Sequence, residues 1–224
     1  MRITFLGQAG LLFETGELKI MVDPYFSDSV KKVNPKNARR QPIDTRFLEI
    51  EPDILIFTHC HLDHFDPETA AHYFNQAKPM TVLCPTNTWV EARKYGGPHN
   101  FVEFNRHTEW TQSGIRFSAV KAEHSDRTAI GVVMQAGGKN HYITGDTLYN
   151  SEIFSDIPKE IEVLFLPING EGNNMNMTDA ARFAQKVGAK HTVPLHFGMF
   201  DDLSPEEFSA PGKTVLGLYE TIKI

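Results

Sequence analysis

The chain has 224 residues, 41% of them hydrophobic, enough for one substantial core, and no break in composition divides it, so a single domain over residues 1–224 is expected. A formal net charge of −6 argues against a surface that wraps nucleic acid, which needs clustered cations, and no apolar run approaches membrane-spanning length. Cys60 and Cys84 are the only cysteines and Met1 to Gly7 alternates directly into a strand without a leader, so no disulfide framework is indicated and a cytoplasmic location is expected.

Strands are predicted at Ile3 to Leu6, Leu11 to Glu14, Leu18 to Val22 and Asp53 to Phe57, the last from its β-branched and aromatic content behind Pro52. Between the third and fourth lies Lys31 to Arg40, a basic stretch with turn residues. It reads either as a solvated, mobile loop or as a cationic rim in which Arg39 and Arg40 recruit an anion. A helix from Pro67 to about Gln76 follows, with Asp66 as cap and Glu68 in the first turn. Then come a strand at Thr81 to Cys84 and a helix from Asn87 to Tyr95, stopped by Gly96-Gly97-Pro98.

The second half gives strands at Phe101 to Phe104, Ile115 to Lys121, Ala129 to Gln135, His141 to Thr144 and Val163 to Leu166, with Gly137-Gly138 as a hairpin signal. A helix from Asp179 to Val187 is expected to be capped by Thr178 and stopped by Gly188, ahead of a strand from His191 to Leu195. A short helix opened by Ser204-Pro205 and closing strand material from Lys213 to Ile224 complete the reading. Two β-rich halves with flanking helices imply two sheets packed face to face with helices outside, an α/β (α+β) architecture.

The string Thr58-His59-Cys60-His61-Leu62-Asp63-His64 places three imidazoles and a carboxylate where a buried strand opens into a loop. These are donors that Zn²⁺ and similar cations prefer. Residues two apart on extended chain project the same way, so His59 and His61 can reach one ion while Cys60 turns to the core. Asp63 and His64, past a bend, can face a second ion. The alternative is a histidine-rich surface turn. His124, Asp146 and His196 each follow a predicted strand, a shared placement that makes a cap or surface role for all three the weaker reading.

In order, His-x-His-x-Asp-His, then a His, an Asp and a final His resemble the metallo-β-lactamase superfamily, over nearly the whole chain and including Ile3 to Gly7 and Leu18 to Pro24. The resemblance implies a four-layer αββα sandwich. It also implies one ion on His59, His61 and His124, a second on Asp63, His64 and His196, and Asp146 bridging them. Asp23 then either steadies a ligand histidine or serves as a turn residue before Pro24. Ser125 to Ala129, Gly145 to Tyr149, Asn169-Gly170-Glu171 and Met177 to Ala180 are similar to the ascorbate-6-phosphate lactonase group and its uncharacterised relatives.

The implied cofactors are two divalent ions, Zn²⁺ or Mn²⁺, with Fe²⁺ admitted by the same donors. The expected activity is hydrolysis of a small anionic lactone or ester by a hydroxide bridging the ions. Asp63 would move a proton, and Tyr149 would donate to the oxyanion or else be a buried aromatic. Arg127 would bind the substrate anion or pair with an acid; Glu171, Asn173 and Asn174 would border the site or merely form a turn. A phosphodiesterase is the competing enzyme, and a metal-binding protein without turnover the competing class. Self-association into a homo-oligomer is left open. His72, His99, His107, His141 and His191 are assigned surface or packing roles.

Overall fold

The computed structural model describes residues 1–16 and 18–224. Two compact units emerge, each built on one sheet: Met1–Glu103 with Gly198–Asp202 and Leu216–Ile224, and Phe104–Phe197 with Leu203–Val215.

In the first unit β1 (Arg2–Gly7), β2 (Gly10–Thr15) and β3 (Leu18–Val22) form an antiparallel meander. The chain then runs through α1 (Ser29–Val33) and adds β4 (Ile54–Ile56), β5 (Thr81–Cys84) and β6 (Asn100–Glu103), all parallel to β3. Parallel neighbours need crossovers, and α2 (Pro67–Phe74) and α3 (Thr86–Ala92) supply them. The last strand, β13 (Thr221–Lys223), returns to pair with the free side of β1. Strands β4 and β5 are buried along their whole length, and Leu55, Phe57, Tyr73, Phe74 and Val82 share one core.

The second unit holds β7 (Glu109–Gln112), β8 (Ile115–Lys121), β9 (Ile130–Ala136), β10 (Lys139–Ile143), β11 (Val163–Pro167) and β12 (His191–Leu195). The first four strands are antiparallel; β11 and β12 run parallel to β10, with α4 (Met177–Val187) as crossover. Gly137 and Gly138, at φ 57° and 76°, make the predicted two-residue hairpin between β9 and β10. Ala180, Phe183, Ala184 and Val187 form the buried stripe of α4 at helical spacing.

Several boundaries differ from expectation. Thr178 is not the cap of α4: Asn176 is, because its side chain accepts from Asp179 N, which places Thr178 inside the first turn. Replacing Asn176 with Ala is expected to cost about 1 kcal/mol and replacing Thr178 only a few tenths, a contrast that thermal melts of the two variants will reveal. The helix expected to reach Tyr95 ends at Ala92 and tightens into a 3-10 turn, Arg93–Tyr95, before Gly96 at φ 69°. Strand β7 went unread although Ser113-Gly114, with φ 51° and 76°, is a second hairpin turn of the same kind. The basic stretch is partly ordered, with Lys31 and Lys32 in the last turn of α1 and a 3-10 turn at Pro35–Asn37. The short helix after Ser204 is one 3-10 turn, Pro205–Glu207, and of the tail only Thr221–Lys223 is strand.

Candidate metal centre

The register of β3 on β4 pairs Val22 with Ile56, so the two strands end side by side, and Asp23 N donates to Ile56 O at 2.9 Å. Beyond β4 the chain turns at His61, whose carbonyl accepts from His64 N at 3.0 Å and Phe65 N at 2.8 Å. That bend gathers the imidazoles: the His59 ring lies 4.7 Å from His61 and 4.0 Å from His64 between centroids, and His59 and His64 are fully buried.

Asp23 organises this loop. Its carboxylate accepts from Thr58 N (2.8 Å), Thr58 Oγ1 (2.6 Å) and His64 Nδ1 (2.8 Å). His64 therefore carries its proton on Nδ1 and presents the lone pair of Nε2. Thr58 Oγ1 also lies 3.1 Å from His59 Nδ1. Its single hydrogen is given to Asp23, so it accepts from His59, which fixes the same tautomer there. Both roles read for Asp23 are thus realised, since it sits at φ 43° in the turn before Pro24 and also steadies a histidine. Gln8 carried no sequence signal for the site. It is buried at φ 53° in the β1–β2 link, and its Nε2 donates to Asp63 Oδ2 at 2.8 Å.

The second unit carries its own donors. The parallel ladder of β10, β11 and β12 delivers Asp146, the 169–176 loop and His196 to the strand ends where sites in open sheets form. Asp146 Oδ2 lies 3.2 Å from His196 Nε2 and accepts from Asn174 Nδ2 at 2.8 Å. Asn174 Oδ1 in turn accepts from Thr147 N at 3.0 Å. His196 is held at φ 61°, a conformation that strains a residue other than Gly, Asn or Asp. The His124 Nδ1 lies 3.3 Å from the Asn173 carbonyl, which can only accept, so its Nε2 is likewise the lone-pair nitrogen.

Each of the seven predicted His and Asp residues, in the first unit His59, His61, Asp63 and His64 and in the second His124, Asp146 and His196, offers one ligand atom. The donors are nitrogen and oxygen only, the set that suits Zn²⁺, Mn²⁺ and Fe²⁺. A family model described as the beta-lactamase superfamily domain matches residues 19–197. The chain belongs to the metallo-β-lactamase superfamily. Within it the chain is 28% identical to a UPF0173 metal-dependent hydrolase of Carboxydothermus hydrogenoformans, over 96% of this chain and 93% of the relative. It is 30% identical to one from Exiguobacterium sp., over 92% and 90%. Igni18, a metallo hydrolase of Ignicoccus hospitalis, superposes with a TM-score of 0.76 at 19% identity, covering 99% of this chain and 97% of that one. The metallo-β-lactamase fold expected from the sequence is the fold observed.

Other residues of this metallo-β-lactamase-superfamily chain take up less direct places. Tyr149 is half-buried, its ring packing on Phe154 and Phe183, at 5.8 and 6.1 Å, with the Arg182 guanidinium 4.9 Å above it. Arg39 is tied to the backbone rather than left in a solvated loop: Nε donates to Gln41 O at 2.8 Å, Nη1 to Tyr25 O at 2.7 Å, and burial lowers its pKa. Arg40 is paired with Asp202. Arg127 is exposed, and Asp126 accepts instead from the backbone and hydroxyl of Thr128. Glu171 and Asn173 are exposed on the 169–176 loop. Cys60 is only half-buried, because the turn at His61 ends the extended chain that would have aimed it at the core. No helix among the described residues is long and apolar enough to cross a membrane.

Of the histidines outside the donor set, His141 is buried in β10, and desolvation pushes its pKa down to about 4. Between pH of about 6.5 and 4 the unfolded chain binds a proton that the folded chain refuses, so stability falls as pH drops through that window and is unaffected above it. The loss sums to about 3 kcal/mol. Urea midpoints at pH 7 and pH 4.5 should therefore converge in His141→Leu and stay apart in the parent. Asp156, which Arg106 holds well below the usual carboxylate range, and Glu162, held at about 2 by Lys190 and Lys139, lose their share only at lower pH.

Proposed function

We propose that the two donor sets together hold two divalent ions, Zn²⁺ or Mn²⁺, on His59, His61 and His124 and on Asp63, His64 and His196, with Asp146 between them. The chain is then a cytoplasmic metal-dependent hydrolase, working as one domain on a small anionic lactone or ester. The observation that carries this reading is the Asp23–Thr58 network. It fixes the tautomer of two fully buried histidines so that each presents Nε2, a precision that packing alone does not require.

Bound divalent ions would lower the pKa of water towards 7 and polarise a carbonyl or phosphoryl oxygen. Asp63 moves the proton between nucleophile and leaving group, with Gln8 holding its Oδ2. Arg127, exposed on the loop that follows His124, would meet the substrate anion in this reading. Tyr149 is tested as oxyanion donor by replacement with Phe, which keeps its ring packing and removes only the hydroxyl.

The experiment is hydrolysis of lactones, sugar-phosphate lactones and phosphodiesters by protein stripped of metal, reloaded with Zn²⁺ or Mn²⁺ and assayed for bound ion. Metal-dependent opening of a phosphorylated lactone supports the lactonase-like reading. Turnover of phosphodiesters alone replaces it with a phosphodiesterase, and two bound ions without any turnover leaves a binding protein.

A further inference from the structure

We propose that Gln8 and Asn174 are positioning residues for the two carboxylates of the metal centre, a proposal that rests on the two-ion reading above. Each is a buried, neutral amide that ties one oxygen of one carboxylate: Gln8 Nε2 to Asp63 Oδ2 and Asn174 Nδ2 to Asp146 Oδ2, both at 2.8 Å. The two ties lie in different units and were reached independently, through an 8-to-63 and a 174-to-146 pairing.

The backbone shows that Gln8 is there for its amide. It is 1% exposed at φ 53°, a region that costs a side chain other than Gly, Asn or Asp roughly 1 kcal/mol or more. A glycine would be cheaper in a link this tight. Asn174 is 3% exposed and uses both ends of its amide, accepting from Thr147 N while donating to Asp146, so the amide cannot flip. The loop that carries it is closed by the Asn169–Asn176 bridge and by Gly170 N donating to Met175 O at 3.1 Å, and through the Asn173 carbonyl it also orients His124. One loop thus sets the pose of two ligands.

The choice of amide has a physical reason. A Lys or Arg in either place would fix the carboxylate equally well, but its charge would favour the carboxylate's existing state and compete with an incoming dication. An amide donates one hydrogen bond, holds plane and rotamer, and leaves the full negative charge to the ion.

The test is titration of metal-free protein with Co²⁺, followed by its absorption bands and by metal analysis, alongside melting of each metal-free variant. Gln8→Met keeps the length and burial of Gln8 without the donor; Gln8→Asn keeps the tolerance for left-handed backbone but falls a methylene short. Both are expected to weaken one of two Co²⁺ affinities by about 10–100-fold and leave the other within about twofold. Asn174→Ala is expected to weaken both, since Asp146 stands between the ions. If Gln8→Met binds two Co²⁺ as the parent does, Gln8 only fills space and the proposal falls while the two-ion reading stands. If the parent itself takes up no Co²⁺, the two-ion reading falls and the proposal with it.

Discussion

Asp63→Ala is expected to reduce turnover by about 10³-fold or more, the scale of a lost proton-transfer group. Metal-free protein should melt within a few degrees of the parent. The Asp63 side chain is half-buried, and the turn that carries it is closed by backbone bonds to His61 O, so the fold does not depend on its carboxylate. Turnover should be compared in samples with measured metal content. A variant that keeps both ions and the parental rate would remove Asp63 from the chemistry altogether.

The second large effect is on stability. Asp23→Ala removes one acceptor from three buried donors, Thr58 N, Thr58 Oγ1 and His64 Nδ1, and puts Ala at φ 43°. Leaving buried partners of a charged group unmatched costs about 3–5 kcal/mol, which for a chain this size lowers the melting temperature by about 10 °C or more. Asp23→Asn separates folding from metal binding. It keeps the shape and tolerates the left-handed backbone, but its NH₂ can face His64 only if Nδ1 becomes an acceptor, which moves the proton to Nε2. The Asn variant should therefore fold better than the Ala variant and still bind metal poorly. Full metal content in Asp23→Asn would show that the tautomer of His64 is set by something other than Asp23.

Much of this was legible along the chain because the signals are local. Strands such as β3, β5 and β8 matched residue for residue, since alternation, β-branching and flanking turn residues are properties of a few neighbours. The seven donors stood out because imidazole and carboxylate recur after strands. What stayed hidden depends on distance in sequence. Gln8 meets Asp63 across 55 residues and Asn174 meets Asp146 across 28, and no local pattern specifies either partner. The place of Arg39 is hidden for a related reason: a run of charges is usually solvated, and only tertiary packing shows this guanidinium lying over the Tyr25 ring and donating to the Tyr25 carbonyl. Thr178 and Asn176 are two cap-forming residues two positions apart, and which one caps is decided by where the 169–176 loop delivers the chain.

All the donors but His124, which follows the antiparallel β8, hang from the ends of parallel ladders, β3 on β4 and β10 through β12, whose hydrogen bonds run from backbone to backbone. Those bonds take no notice of side-chain identity beyond shape and apolarity. Generations of substitution can therefore erode resemblance along the strands without displacing a single donor, while the loops beyond them are redrawn to admit new molecules. Labour in such a protein is divided: the scaffold keeps position, and the strand-end loops are left to meet whatever comes to the donors.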